Sequence, residues 1–387
     1  MEPNDPGIVA SNVFRAKLAK AGNVGEVILY MGIFLGRWKE HLFQMGAIIL
    51  FSSWVLRVMN YFINGFQPRT NEAGKLIFPF VKKRQEKNIQ ILIYHRVNND
   101  RDPFFPALPT NIFARQMEYL VSHFNTCSLE DAIERIKQRD VPDNTVVVTF
   151  DDGYADNFIN AFPILKRLSI PATIFLTTDA IGSGKVLCHD RVFSAFRDTH
   201  MNFFEGIGHN FTGYPLKTIE EKLIAQRQTL RFLWSLNNQE RCFWINRLVD
   251  QLKVEDRKEI PDLMLTWDKV RIMYHGGMLF GSHTITHPIL SRLSFDEAIA
   301  EIKGSKKIIE ENLGLSIKTF AYPNGKPSDF NETTKDILKE SGYTCGLTTV
   351  FGVNEINQDL FELRRATPWD HNIHIFGLRL RYYKFFS

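Results

Sequence analysis

Two adjacent carboxylates, Asp151 and Asp152, close the β-branched run Val146-Val147-Val148-Thr149-Phe150 and are followed at once by Gly153. The apolar run reads as a buried strand. Tyr154 to Leu168 carries Phe158, Phe162, Leu165 and Leu168 at helical spacing. The pair therefore stands where a strand hands over to a helix, the edge at which α/β folds gather ligands and catalytic groups. Burying two unpaired carboxylates is expensive, so one reading has them face a cleft and hold a cation. The other is a solvated turn, for which Asp-Asp-Gly is good chemistry. A second stretch, Gly281-Ser282-His283-Thr284-Ile285-Thr286-His287-Pro288, follows the apolar Met278-Leu279-Phe280. On a helix, two His four residues apart share a face. One carboxylate and two imidazoles make a facial triad that leaves positions open on a divalent ion. Accidental spacing is the competing explanation.

Together and in this order, Thr149-Phe150-Asp151-Asp152 and His283-Thr284-Ile285-Thr286-His287 resemble the motifs of the polysaccharide deacetylases, the NodB-type family four carbohydrate esterases. The resemblance spans roughly residues 89 to 370 and implies an α/β fold, a (β/α) barrel distorted to about seven strands. It implies Asp151 as catalytic base and Asp152, His283 and His287 as ligands of one divalent metal. Zinc is the first choice, with cobalt and manganese as alternatives. A circularly permuted branch, resembling poly-N-acetylglucosamine deacetylases, carries its acid motif on the first strand. Leu92-Ile93-Tyr94-His95 matches that moved motif and makes His95 the general acid, with His371 and His374 as rivals. The family's third motif usually opens with an Arg that orients the base. Here Ala321 opens Ala321-Tyr322-Pro323-Asn324-Gly325, and Arg365 or Arg364 is the replacement from another strand. The backbone N–H of Asn324 is assigned to the oxyanion. Tyr322 and Trp267 are assigned to the substrate pocket, with core packing an equal account of Trp267.

The activity implied is metal-dependent hydrolysis of N-acetyl groups on amino sugars of a cell-surface polysaccharide or its precursor. The alternatives are a related C–N hydrolase, such as a sugar deformylase, and a carbohydrate-binding relic of the fold without catalysis. The partner is an N-acetylated glycan or sugar precursor. A net charge of +4 gives no argument for nucleic acid.

The elements that must position these residues follow from composition and pattern. A chain of 387 residues, 44% hydrophobic and 23% charged, has ample material for a large core. Residues 1–88 read as a separate helical extension. Its apolar runs Val27–Leu35, Leu42–Leu56 and Val58–Phe66 are broken by Arg37, Lys39, Glu40 and Arg57. Each run falls short of the ~20 residues of a membrane span. A helical hairpin lying on a membrane or on the catalytic domain is expected, with peripheral contact through residues 27–66, and a true transmembrane helix is the alternative. Four scattered Cys without a CxxC pair favour reduced thiols, hence a cytoplasmic or membrane-associated setting. A periplasmic or extracellular one follows if the extension is a signal anchor. The catalytic domain is expected over 89–370, with a helical insertion at about 182–265 over the strand ends; near its start His189, Asp190 and Arg191 are either ordinary surface charges or residues that reach the cleft. Helices are expected at Leu129–Lys137 (capped by Ser128), Trp267–His275 (capped by Thr266) and Phe295–Leu313 (closed by Gly314). Residues 371–387 read as a basic, aromatic tail.

Overall fold

A computed structural model describes residues 69–70, 76–77, 87–208 and 213–383. The expected helical hairpin and membrane contact at 27–66 lie outside the described residues. Of the unit Met1–Lys83, only a two-residue antiparallel ladder, Arg69–Thr70 with Leu76–Ile77, is described. Among the described residues, no helix is long and apolar enough to cross a membrane.

The unit from Arg84 onward is built on one curled, mostly parallel sheet. Its strands are β1 (Asn88–Tyr94), β2 (Asn125–Thr126), β3 (Thr145–Phe150), β4 (Ala172–Leu176), β5 (Leu279–Ser282), β6 (Thr319–Ala321), β7 (Cys345–Leu347) and β8 (Asn354–Glu355). They lie in the order β7-β6-β5-β4-β3-β1-β8, with β2 also on β3. Every pair is parallel except β8 against β1. The strands are apolar on both faces because both faces are covered. Ile89, Ile91, Val147, Phe175, Ala321 and Leu347 point into one core cluster, and Leu92, Val148, Ile174, Leu176 and Phe320 into the other. Helix α2 (Leu129–Gln138) fills the first cluster with Leu129, Ala132, Ile133 and Ile136, and the Ser128 hydroxyl caps it by accepting from the Asp131 N–H. Helices α1 (Thr110–His123), α3 (Phe162–Arg167), α7 (Trp267–His275), α8 (Phe295–Leu313) and α9 (Glu332–Glu340) contribute to the second.

The curl brings the two edges of the sheet within reach of one segment. Residues 363–366 bond to β7 through Leu363 N–H to Gly346 O, and to β1 through Ala366 N–H to Ile91 O at 2.8 Å. This short run completes the barrel expected from the motifs, although it is too brief to count as a strand.

The insertion holds α4 (Cys188–Asp198), α5 (Ile219–Leu233) and α6 (Asn238–Leu252). Val192, Phe196, Leu230 and Leu248 form its own core, joined by Phe104 and Phe105 from the loop after β1. The expected tail at 371–387 is corrected. Ile373–Tyr383 is helix α10, and Phe376 and Leu380, four residues apart on one face, are buried. Phe376 meets Tyr119 of α1 edge-on at 5.8 Å.

Candidate active site

The Asp-Asp turn owes its shape to a left-handed kink. The Asp151 N–H still pairs with Tyr94 O at 3.0 Å, as if the strand continued. Asp152 then takes φ 73° and Gly153 φ 90°, which breaks the strand's alternation and sends the two carboxylates to different partners. A Cβ at Gly153 would lie 2.8 Å from Ile181 Cδ1 and 3.0 Å from Leu176 Cδ2. Gly153→Ala is therefore expected to lower stability by about 1–2 kcal/mol through backbone strain and crowding. A urea midpoint equal to that of the wild type would show that the turn relaxes freely.

Asp151 is clasped by Arg365, which the barrel-closing segment delivers. Both side chains are buried. Arg365 Nη1 and Nη2 donate to the two Asp151 oxygens at 2.7 Å each, and Nε donates to Thr348 O at 2.8 Å. Burial alone would raise the Asp151 pKa, but the guanidinium outweighs it and holds the carboxyl below its ordinary value. Arg364, the other candidate, borders a separate groove with Glu362 and Val350. Ala321, at the position of the usual Arg, offers its carbonyl to His283 Nδ1 at 2.7 Å.

Asp152 turns the other way, toward the two imidazoles. Its Oδ1 lies 3.6 Å from His283 Nε2 and 3.5 Å from His287 Nε2. The three donor atoms are all within 4.8 Å of one another. The His pair converges without a helix, which corrects the helical premise. Residues 283–287 form a loop after β5, with Thr284 at φ 69° and His287 at φ 60°. Glu301 of α8 ties that loop down by accepting from the Ile285 N–H, the Thr286 N–H and the Thr286 hydroxyl.

Three observations test whether a cation fits. Asp152 Oδ1 is buried and has no hydrogen-bond partner, a costly state for a bare carboxylate. The Ala321 carbonyl accepts a hydrogen bond from His283 Nδ1–H, which leaves Nε2 with its lone pair toward Asp152. Burial lowers the pKa of both imidazoles, furthest for His287, while burial and then Asp151 raise that of Asp152. Neutral His nitrogens around an unsatisfied carboxylate oxygen are the donor set a divalent metal needs.

The cleft above this set has a volume of about 320 Å³. His95, Asp151, Asp152, His283, His287 and Asn324 line it. His371 and His374 are exposed and absent from its walls. Asn324 stands at φ 57°, and its Nδ2 is buried without a partner. Two assignments to the substrate pocket are corrected. Tyr322 is fully buried, stacks on Phe330 at 4.2 Å and donates its hydroxyl to Phe361 O at 2.9 Å. Trp267 packs against the main core and is not in the cleft wall. Both rings turn to the core, where an aromatic side chain buries the most area.

The cleft also takes residues from outside the motifs, among them two of the three that the start of the insertion offered. Tyr154, one residue past the turn, donates to Asp190 Oδ1 at 2.9 Å, and its hydroxyl lies 3.0 Å from His189 Nε2. The His189 ring sits 5.4 Å from that of His287. His189 and Asp190 thus reach the cleft from the insertion, whereas Arg191 pairs with Asp256 outside it. Arg96 is fixed by Asp156 at 2.9 Å and lies over Tyr154. Trp234 and Trp369 complete the rim, and no local pattern marks either one in advance.

The chain is similar to known proteins in sequence and in fold. A family model described as polysaccharide deacetylase matches residues 138–200 and 225–346, with the gap inside the insertion. A poly-beta-1,6-N-acetyl-D-glucosamine N-deacetylase from Staphylococcus epidermidis is 30% identical over 239 residues, covering 57% of this chain and 78% of that protein. The Bacillus subtilis protein YxkH is 23% identical over 289 residues, 74% of each chain. The structure of IcaB from Ammonifex degensii superimposes with a TM-score of 0.50 at 18% identity, over 77% of this chain and 97% of that one, a likeness of fold. The chain belongs to the polysaccharide deacetylase family and is an enzyme of the hydrolase class.

Proposed function

We propose that this enzyme is a divalent-metal-dependent N-deacetylase acting on an N-acetylated amino sugar in a cell-surface polysaccharide or its precursor. The observation that carries the reading is the pairing of the buried Asp152–His283–His287 set with an ionised Asp151 beside it. Asp152 Oδ1 and the Nε2 atoms of His283 and His287 would hold the ion, with zinc favoured by the donor set and cobalt or manganese as alternatives. Bound there, the ion supplies a Lewis acid for the acetyl oxygen and lowers the pKa of water.

The remaining work belongs to side chains. Asp151, kept ionised by Arg365, takes a proton from the attacking water as general base. Asn324 offers donors to the acetyl oxygen as negative charge builds there. His95 is assigned to the departing amine. Burial lowers its pKa to about 4, against the opposing pull of Asp151, so the resting ring is a neutral imidazole at neutral pH. The proton that reaches the amine is then the one Asp151 collected, passed on through His95. The C–N bond breaks, nitrogen gains that proton, and acetic acid leaves with the oxygen and the second proton of water, ionising to acetate in solution.

Purified enzyme loaded with zinc, cobalt or manganese is expected to release acetate from β-1,6-linked N-acetylglucosamine oligomers, the sugar named for the Staphylococcus epidermidis relative. Formate from N-formyl sugars in place of acetate would move the reading to a deformylase. Oligomer binding with no acid released under any of the metals would leave a binding relic. His95→Asn is expected to retain its metal while kcat falls by about 10²–10³-fold. Full activity in that variant would remove His95 from the proton path.

A further inference from the structure

A cleft of about 320 Å³ is at the small end of ligand sites, with room for the reacting sugar and little more. The neighbouring residues of a polysaccharide must therefore lie on the rim. Trp369 is there, with 43% of its surface exposed although it lines the same cleft as His95 and Asp151. An indole left in water forgoes a large apolar burial, and beside a binding cleft its flat face is open to a ligand.

The loop that presents Trp369 is fastened on both sides. Gln116, fully buried on α1, donates through Nε2 to Pro368 O at 3.1 Å and to Asp370 O at 2.9 Å. The Tyr94 hydroxyl in turn donates to Gln116 Oε1 at 2.9 Å, so the residue next to His95 helps to set the loop. Asp370 pairs with Arg379 of α10 at 2.8 Å, and Ala366 is bonded into β1. A ring held at fixed height loses little freedom when a ligand stacks on it. The other rim indole is differently placed. Trp234 packs against the insertion core and has the Lys326 ammonium 5.5 Å from its ring centre.

We infer that Trp369 is a sugar-stacking platform that binds the apolar face of a pyranose next to the one being deacetylated, and so gives the enzyme a preference for chains over single sugars. The inference rests on the N-deacetylase reading for its substrate class. Its test is wild type, Trp369→Ala and Trp369→Phe, with pentamers and monosaccharides of N-acetylglucosamine, the pentamers in β-1,6 and β-1,4 linkage. Calorimetry reads affinity and acetate release reads turnover. Trp369→Ala is expected to weaken pentamer binding by about tenfold and to cut the pentamer-to-monosaccharide ratio of kcat/KM by a similar factor. Trp369→Phe, which keeps an aromatic face, is expected to recover part of both. Equal pentamer affinity in wild type and Trp369→Ala, or an equal loss on monosaccharide and pentamer, overturns the platform. So does the absence of pentamer binding by the wild type. Pentamer binding that depends on Trp369 without acetate release would keep the platform and sink the N-deacetylase reading alone.

Discussion

Wild-type protein purified without chelator is expected to carry about one divalent ion per chain, and Asp152→Ala and His287→Ala are expected to lose it. Elemental analysis by plasma mass spectrometry reads this directly. The size of the effect follows from the buried state of the set. Asp152 Oδ1 has no partner of its own, and His283 Nε2 is aimed at it by the bond from Nδ1 to Ala321. Removing one of three protein ligands from such a site leaves a pair that no longer encloses the ion. Loss by more than the 10–100-fold typical of an outer-shell change is expected. A second readout needs no substrate. Zinc at about 100 times its dissociation constant should stabilise the wild type by about 2.7 kcal/mol and leave both variants unmoved. His283→Ala tests the geometry from the far side, because it also frees the Ala321 carbonyl. If the wild type stays metal-free after loading with zinc, cobalt or manganese, the proposed mechanism fails at its first step.

How far such a site can be read in advance depends on whether its determinants are local. The β3 run and the caps at Ser128, Thr266 and Gly314 are local, and those elements stand where the pattern puts them. The motif residues Asp151, Asp152, His283 and His287 come together, but the His pair does so through a loop. Four-residue spacing alone does not distinguish that loop from a helix. The choice between Arg364 and Arg365 is not local at all. It depends on the segment 363–366 bridging β7 and β1, so that alternate residues face opposite sides of the closure. The aromatics misled for a related reason. Trp267 and Tyr322 sit beside motif residues and turn inward, while Trp234 and Trp369, remote from any motif, turn to the cleft. Side-chain direction at such positions is decided by the long-range packing of helices on the sheet.

The Asp151–Arg365 pair should show the largest stability effect in the molecule. Both side chains are buried, and each satisfies the other through two bonds of 2.7 Å. Arg365→Met removes the guanidinium and leaves the buried Asp151 carboxylate without its forked partner. The cost is expected at about 3–5 kcal/mol, read from chemical denaturation of the metal-loaded protein. Arg365→Lys should recover only part of it, because an ammonium cannot repeat the forked contact while also reaching Thr348. Asp151→Asn separates structure from chemistry. It keeps the shape and one acceptor, so it should fold, yet it removes the general base and should lower kcat by about 10²–10⁴-fold. The double variant Arg365→Met with Asp151→Asn closes the cycle. With no buried charge left at either position, its stability should exceed that of Arg365→Met alone, although both carry the same cavity. If the double variant is less stable than Arg365→Met by the full cost of Asp151→Asn, the two residues do not couple. Arg365 would then hold the barrel closed through Thr348, with no part in keeping Asp151 ionised.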